Sequence, residues 1–212
     1  MKLYLFSILT VLLIVPTKAQ DNITSVFLTV PETVLFGADA QTKDQLVANP
    51  KDSGEVKVRS QLNSWIKRTA ISADYIALET SSVGTLQIKL LPLINNSKIV
   101  CVVHTVCGKV CDSRIAFYAA DWQPIANTAS IFPPATLDTF IKPDADRQSE
   151  DFRNALAALD MTAVRYQLNA ENDTIEAYLD LQNYLQEEDY NKIKPYLCEQ
   201  PKTFHWDKVS YK

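Results

Sequence analysis

Glycine is scarce in this chain, with Gly37, Gly54, Gly84 and Gly108 the only four in 212 residues. No two stand a few residues apart, as a dinucleotide fingerprint or a phosphate-cradling loop requires, so nucleotide-binding folds are disfavoured. Histidine is scarcer still. His104 and His205 are the only imidazoles that could serve as bases, and no recognised nucleophile motif surrounds Ser113, the hydroxyl that follows Asp112. No Lys/Arg cluster exceeds the pair Lys67-Arg68. After the first nineteen residues, no apolar run approaches the roughly 18 residues of a membrane helix.

Those first residues have a different character. Met1-Lys2 gives a short basic start, Leu3 to Val15 is a nearly continuous apolar run, and Pro16 ends it. Thr17-Lys18-Ala19 then places small side chains at the positions a signal peptidase reads. The sequence therefore predicts a signal peptide over 1–19 and a mature chain from Gln20, periplasmic or secreted, without a transmembrane segment. The tag holds two of the 21 basic residues and none of the 25 acidic ones, so the remaining 193 residues carry a net charge of −6. An acidic balance disfavours nucleic acid and anionic lipid. No cysteine lies near the cleavage site to take a lipid anchor.

Hydrophobic periodicity divides the mature chain into elements. Ser25–Leu28 reads as extended. Pro31 and Gly37 bracket a short helix, and Asp39–Ala48 forms a second one, closed by Asn49-Pro50. Val56 and Val58 alternate with charged neighbours as in a half-buried strand. Asp74–Thr80, Thr85–Leu93, Lys98–Cys107 and Ser113–Ala119 read as four consecutive strands whose short connections favour a meander. Trp122–Pro143, with four prolines, reads as a connector over the surface. Ser149 or Glu150 starts a helix with Phe152, Leu156 and Leu159 on one face. Met161–Leu168 and Thr174–Leu181 make a hairpin. Glu187–Leu197 is helical until Pro195, and Thr203–Tyr211 is a last strand.

The expected fold class is α+β, an antiparallel β-meander with flanking short helices. Residues 20–122 form a helix-plus-sheet part, 123–148 a connector, and 149–212 a helix-hairpin-helix-strand part packed on the first. Two similar halves are an open alternative. Ser25-Val26-Phe27 and Ser130-Ile131-Phe132 each precede a proline-marked stretch, and Tyr75–Leu78 with Thr85–Leu90 echoes Tyr166–Leu168 with Thr174–Leu179.

Cys101, His104, Cys107 and Cys111 crowd into eleven residues. On a strand, successive side chains alternate faces, so Cys101 and Cys107 share one face and His104 takes the other. That division argues against a metal site. Cys107 and Cys111 instead bracket Gly108-Lys109-Val110, a three-residue hairpin loop, and are expected to form a disulfide in an oxidising compartment. Cys101 and Cys198 are left to pair with each other or to stay as buried thiols. The acids Glu187-Glu188-Asp189 suit a helix start. Trp65, Trp122, Trp206 and Tyr118 could stack on a sugar ring, although packing explains them more simply. No catalytic, cofactor-binding or metal-ligating residue is assigned.

The segments Phe27…Pro31, Asp74-Tyr75…Leu78, Thr85-Leu86…Lys89-Leu90-Leu91-Pro92 and Asp112-Ser113…Ile115…Phe117-Tyr118…Trp122 resemble a family of exported proteins of unknown function from the Bacteroidetes phylum, a domain of unknown function. The resemblance spans most of the mature chain. It implies an envelope-associated protein and assigns no activity to any position. The leading expectation is a non-enzymatic binding or structural module whose partner is an envelope protein or glycan. The alternative is a hydrolase of envelope or dietary polymers, with two carboxylates brought together only by folding.

Overall fold

The computed structural model describes residues 22–48, 54–157, 159 and 161–212. The signal-peptide assignment, the mature start at Gln20 and the Asn49-Pro50 stop lie outside the described residues. No described helix is long and apolar enough to cross a membrane.

Asn22 opens the described chain as a helix cap. Its Oδ1 accepts the Ser25 N–H at 2.9 Å, and Ser25 Oγ accepts the Asn22 N–H at 3.3 Å. Helix α1 (Ile23–Leu28) replaces the extended segment expected there. Ile23, Val26 and Phe27 follow helical spacing and are buried. Reciprocal capping and that apolar stripe outweigh the β-branched content of the segment. The helix expected after Pro31 is a single turn, in which Pro31 O accepts the N–H groups of Val34 and Leu35. It stops at Gly37, whose φ is +76°. A β-carbon on Gly37 would also lie 2.9 Å from the Leu62 side chain, so this position is restricted twice over. The next helix, α2 (Ala40–Val47), is capped by Asp39 Oδ1, which accepts the Thr42 N–H at 2.8 Å.

Six strands run antiparallel in chain order: β1 (Val56–Arg59), β2 (Trp65–Ile71), β3 (Tyr75–Glu79), β4 (Gly84–Pro92), β5 (Lys98–Cys107) and β6 (Cys111–Ala119). The meander therefore has one strand more than the sequence pattern supplies. That strand, β2, hides its alternation because the inward position between Ile66 and Ile71 is an arginine and the register shifts between Arg68 and Ala70. Arg68 is 0% exposed and donates to the carbonyls of Leu46, Ala48 and Gly54, clamping the exit of α2 onto the sheet.

The second half holds α3 (Thr128–Ile131), α4 (Leu137–Phe140), α5 (Glu150–Leu156), β7 (Val164–Leu168), β8 (Thr174–Leu179), α6 (Glu187–Ile193), a 3-10 turn over Lys194–Tyr196, and β9 (Lys202–His205). Strands β7, β8 and β9 form a separate antiparallel sheet. The 123–148 stretch contributes α3 and α4 and buries Phe132, Phe140 and Ile141. The last strand ends at His205, and Trp206 folds back to pair with Tyr211. Phe27 and Phe132, from the two similar tripeptides, are each buried in a core, but the sheets after them have six and three strands.

These elements stack as three layers. One face of the large sheet packs its Ile66, Ile76, Leu78, Leu86, Ile88, Val100 and Val102 beneath α1 and α2. The opposite face packs Tyr75, Leu91, Cys101, Val103 and Phe117 against Val164, Tyr166, Leu168, Ile175 and Phe204 of the small sheet. Strands β3 to β5 are covered on both faces, which is why they read as continuous apolar runs. A smaller cluster of Ala155, Leu181 and Ile193 joins α5 to α6.

The two sheets are also fastened by polar groups. The outer edge of β7 has no neighbouring strand. Its Val164 N–H donates to Asp112 Oδ1 at 3.1 Å, Tyr166 N–H to Ser113 Oγ at 3.0 Å, and Leu168 N–H to Gln87 Oε1 at 2.9 Å. Gln87 Oε1 accepts from Tyr75 OH (3.2 Å) and Gln167 Nε2 (3.1 Å) as well. Gln87→Met keeps the volume and strands two buried donors, the Tyr75 hydroxyl and the Leu168 N–H. Equilibrium denaturation should show a loss of about 1–3 kcal/mol, the cost of buried polar groups left unmade. An unchanged midpoint would mean that water takes over the role of Gln87.

Candidate functional site

Cys107 and Cys111 face each other across the β5–β6 ladder and are joined by a disulfide. Cys101, on the same strand face, is fully buried against the small sheet, and burial pushes its thiol pKa up. Cys198 is an exposed thiol in the segment after the 3-10 turn, so it neither pairs with Cys101 nor lies in a core. His104 sits half-buried opposite Arg114. Burial and the Arg114 charge both hold its pKa below the ordinary histidine value. Among the described residues, no three His, Cys, Asp or Glu side chains converge in a way that could hold a metal ion.

The other sequence candidates are structural. Ser113 Oγ shares a hydrogen bond with Thr105 Oγ1 and accepts the Tyr166 N–H. Trp122 is buried and donates to Val26 O at 3.0 Å, with Tyr118 packed beside it. Trp206 Nε1 donates to Pro92 O at 2.7 Å. Of the four aromatic candidates, Trp65 alone is broadly exposed, at 48%. The acids Glu188 and Asp189 pair with Lys192 along α6. His205 stands exposed at the end of β9.

Ionisable groups converge at one place that sequence spacing did not mark. Lys89 on β4 is 1% exposed. Its Nζ lies 3.1 Å from Asp74 Oδ2 and 3.8 Å from Asp173 Oδ1, and it donates to Ala170 O at 3.4 Å. Asp74 precedes β3, whereas Ala170 and Asp173 belong to the β7–β8 turn, so one ammonium ties the sheets together. The Asp173 pKa is raised because burial outweighs the attraction of Lys89, and the Asp74 charge adds to the rise. Both carboxylates face the one buried ammonium of Lys89. A lysine among core residues of a strand gives no hint of this role, because its partners lie in two separate turns.

A cleft lies elsewhere, against the small sheet. It has a volume of about 430 Å³ and opens between β8 and the segment from α6 to Pro201. Tyr178, Tyr190, Gln182, Glu199 and the Cys198 thiol line it. Arg165 lies over the Tyr178 ring at 4.0 Å and Lys194 over the Tyr190 ring at 6.0 Å. The Tyr178 hydroxyl donates to Glu176, which raises its pKa. Aromatic faces beside amide and carboxylate groups suit a polyhydroxylated ligand.

Non-reducing peptide mapping should recover Cys107 linked to Cys111, with Cys101 and Cys198 as thiols. Replacing both bridged cysteines with serine should cost only about 1–2 kcal/mol, because the closed loop is short. At the sheet junction, Asp74→Asn should cost about 1–3 kcal/mol by leaving the buried ammonium underpaired. Asp173→Asn should be nearly neutral or stabilising at pH 7, since the charged carboxylate is disfavoured by folding. A carboxyl with a raised native pKa binds its proton more tightly when folded, so its contribution improves as pH falls through that pKa. The stability difference between Asp173→Asn and the native protein should therefore shrink from pH 7 towards pH 4 in denaturation series.

No curated protein matches this chain. A solved structure of a domain of an uncharacterized protein from Porphyromonas gingivalis W83 is similar, with a TM-score of 0.80 and 26% sequence identity, covering 89% of this chain and 96% of that one. The family model described as protein of unknown function (DUF3256) matches residues 14–211. With nearly the whole chain matched, helices, large sheet and small sheet together, this protein belongs to the DUF3256 family.

Proposed function

We propose that the protein is an exported, non-enzymatic binding or structural module of the bacterial cell envelope, periplasmic or secreted. Its partner is an envelope protein or glycan, and the Tyr178–Tyr190 cleft takes the glycan. The observation that carries this reading is the position of Lys89. The convergent carboxylates Asp74 and Asp173 hold a buried ammonium between them, and that ammonium joins two sheets. Carboxylates already paired with a buried ammonium weigh against the hydrolase alternative. The leading apolar run and the hairpin disulfide support export. The similar Porphyromonas gingivalis domain supports a family spread among Bacteroidetes.

The purified protein should be titrated with solubilised peptidoglycan fragments and with envelope polysaccharide. Saturable binding is expected, weakened at least about tenfold by Tyr190→Ala through loss of a stacking face, with the glycan recovered at unchanged mass. Shortened glycan products, absent from a heat-treated control, would establish the hydrolase instead.

A further inference from the structure

The outer edges of the two sheets are not equivalent. That of β6 is covered by its own chain, with Ala119 N–H donating to Gln123 O and Ile125 N–H to Phe117 O. That of β7 is capped by Asp112, Ser113 and Gln87. The end of β9 is closed by reciprocal hydrogen bonds between His205 and Lys212. On β1, among the described residues, no main-chain or side-chain group bonds to the outer edge of Val56–Arg59.

The ladder shows which groups that edge presents. Ser60 N–H donates to Ser64 O at 2.8 Å, which makes Ser60 and Ser64 a hydrogen-bonded pair. Antiparallel pairs alternate, so Val58–Ile66 is bonded and Arg59–Trp65 and Lys57–Lys67 are not. The N–H and C=O groups of Lys57 and Arg59 therefore point away from β2, towards an incoming strand.

The side chains of the same two residues define what that strand must carry. Lys57 Nζ lies 4.8 Å and Arg59 Cζ 5.4 Å from the Trp65 ring centre. Arg59 Nε donates to Asn63 Oδ1 at 2.6 Å. Lys67 beside them is matched by Glu55 and Glu79, whereas neither Lys57 nor Arg59 makes an ion pair with a described carboxylate. Two unmatched cations at alternate positions of an open edge stand out in a chain with net charge −4. A second copy of β1 laid antiparallel would set these cations against themselves, which disfavours self-association at this edge. Past Arg59 the turn carries Leu62, 57% exposed over Gly37, next to Phe36 at 69%.

We infer that β1 is a docking edge for an extended acidic segment of a partner protein, which adds as a seventh strand through the main chain of Lys57 and Arg59 and sets carboxylates against their side chains. Main-chain bonds supply the affinity, and the alternate cations with the Trp65 face supply the selection. This deepens the binding-module reading by naming a protein partner class. It uses none of the cleft residues, so either site can fail without the other.

The test is an amide NMR titration of the full-length mature protein with a short synthetic peptide alternating glutamate and valine. Slowed amide exchange is expected at Lys57 and Arg59, with a shift of the Trp65 indole N–H. Lys57→Glu/Arg59→Glu should weaken binding at least about tenfold and transfer preference to a peptide alternating lysine and valine. Lys57→Gln/Arg59→Gln serves as the milder variant should charge reversal disturb folding. N-methylating one alternate set of peptide amides should abolish binding, and methylating the other set should leave it intact. Shifts mapping away from β1, equal binding of both methylated peptides, no binding, or dimerisation through β1 in sedimentation would each overturn the inference.

Discussion

The small sheet holds its place because one strand edge is satisfied by side chains instead of by another strand. The β7 N–H groups of Val164, Tyr166 and Leu168 point out of their own sheet, and each finds an oxygen on the large one. An unsatisfied buried N–H costs far more than a made hydrogen bond returns, so these three contacts fix register more than they add stability. Sliding β7 by one residue would present its C=O and side-chain positions to Asp112, Ser113 and Gln87 instead, and would flip every apolar side chain to the wrong face. The aromatic cluster of Phe132 with Tyr166, Phe204 and Tyr211 fills the space that this register creates.

Charge is used in the same way. Among the described residues, Lys89 and Arg68 are the two deeply buried cations, one on each side of the large sheet. Arg68 binds carbonyl groups at the exit of α2, and Lys89 binds the β7–β8 turn. Each cation therefore pins an outer layer to the central sheet at a point where apolar packing alone would allow sliding. Such groups give little net stability, because desolvation consumes most of the attraction. Their effect is to make alternative packings costly. Of the two surfaces proposed for recognition, the cleft lies against the small sheet, and the β1 edge adjoins the strand that carries Arg68.

Legibility in the sequence followed the rules of local patterning. Strands β3 to β6 were readable because apolar runs broken by Ser81-Ser82-Val83-Gly84, Ile94-Asn95-Asn96-Ser97 and Gly108 leave few alternatives. The Cys107–Cys111 bridge followed from hairpin geometry together with the expected oxidising compartment. Strand β2 was not readable, because Lys67-Arg68 presents two charges in a row and only the fold makes Arg68 an inward residue. Helix α1 was misread because Ser25-Val26-Phe27 favours strand by propensity. The Asn22–Ser25 cap and burial of Phe27 reversed that preference.

By itself, then, the sequence determined the α+β class, the antiparallel meander of β3 to β6, the helix starts at Asp39 and at Ser149 or Glu150, and the reach of the hairpin cysteines. All of these depend on neighbours a few residues away, and such neighbours are always in contact. The tertiary structure alone decided that the nine strands among the described residues divide into two sheets. It also decided that Gln87 serves Leu168, that Lys89 gathers Asp74 and Asp173, and that no other described residue bonds to the outer edge of β1. Each of these joins residues dozens of positions apart, or depends on what the rest of the chain leaves uncovered. No local preference encodes such pairings; they arise when three layers must bury their apolar faces and satisfy every polar group in between.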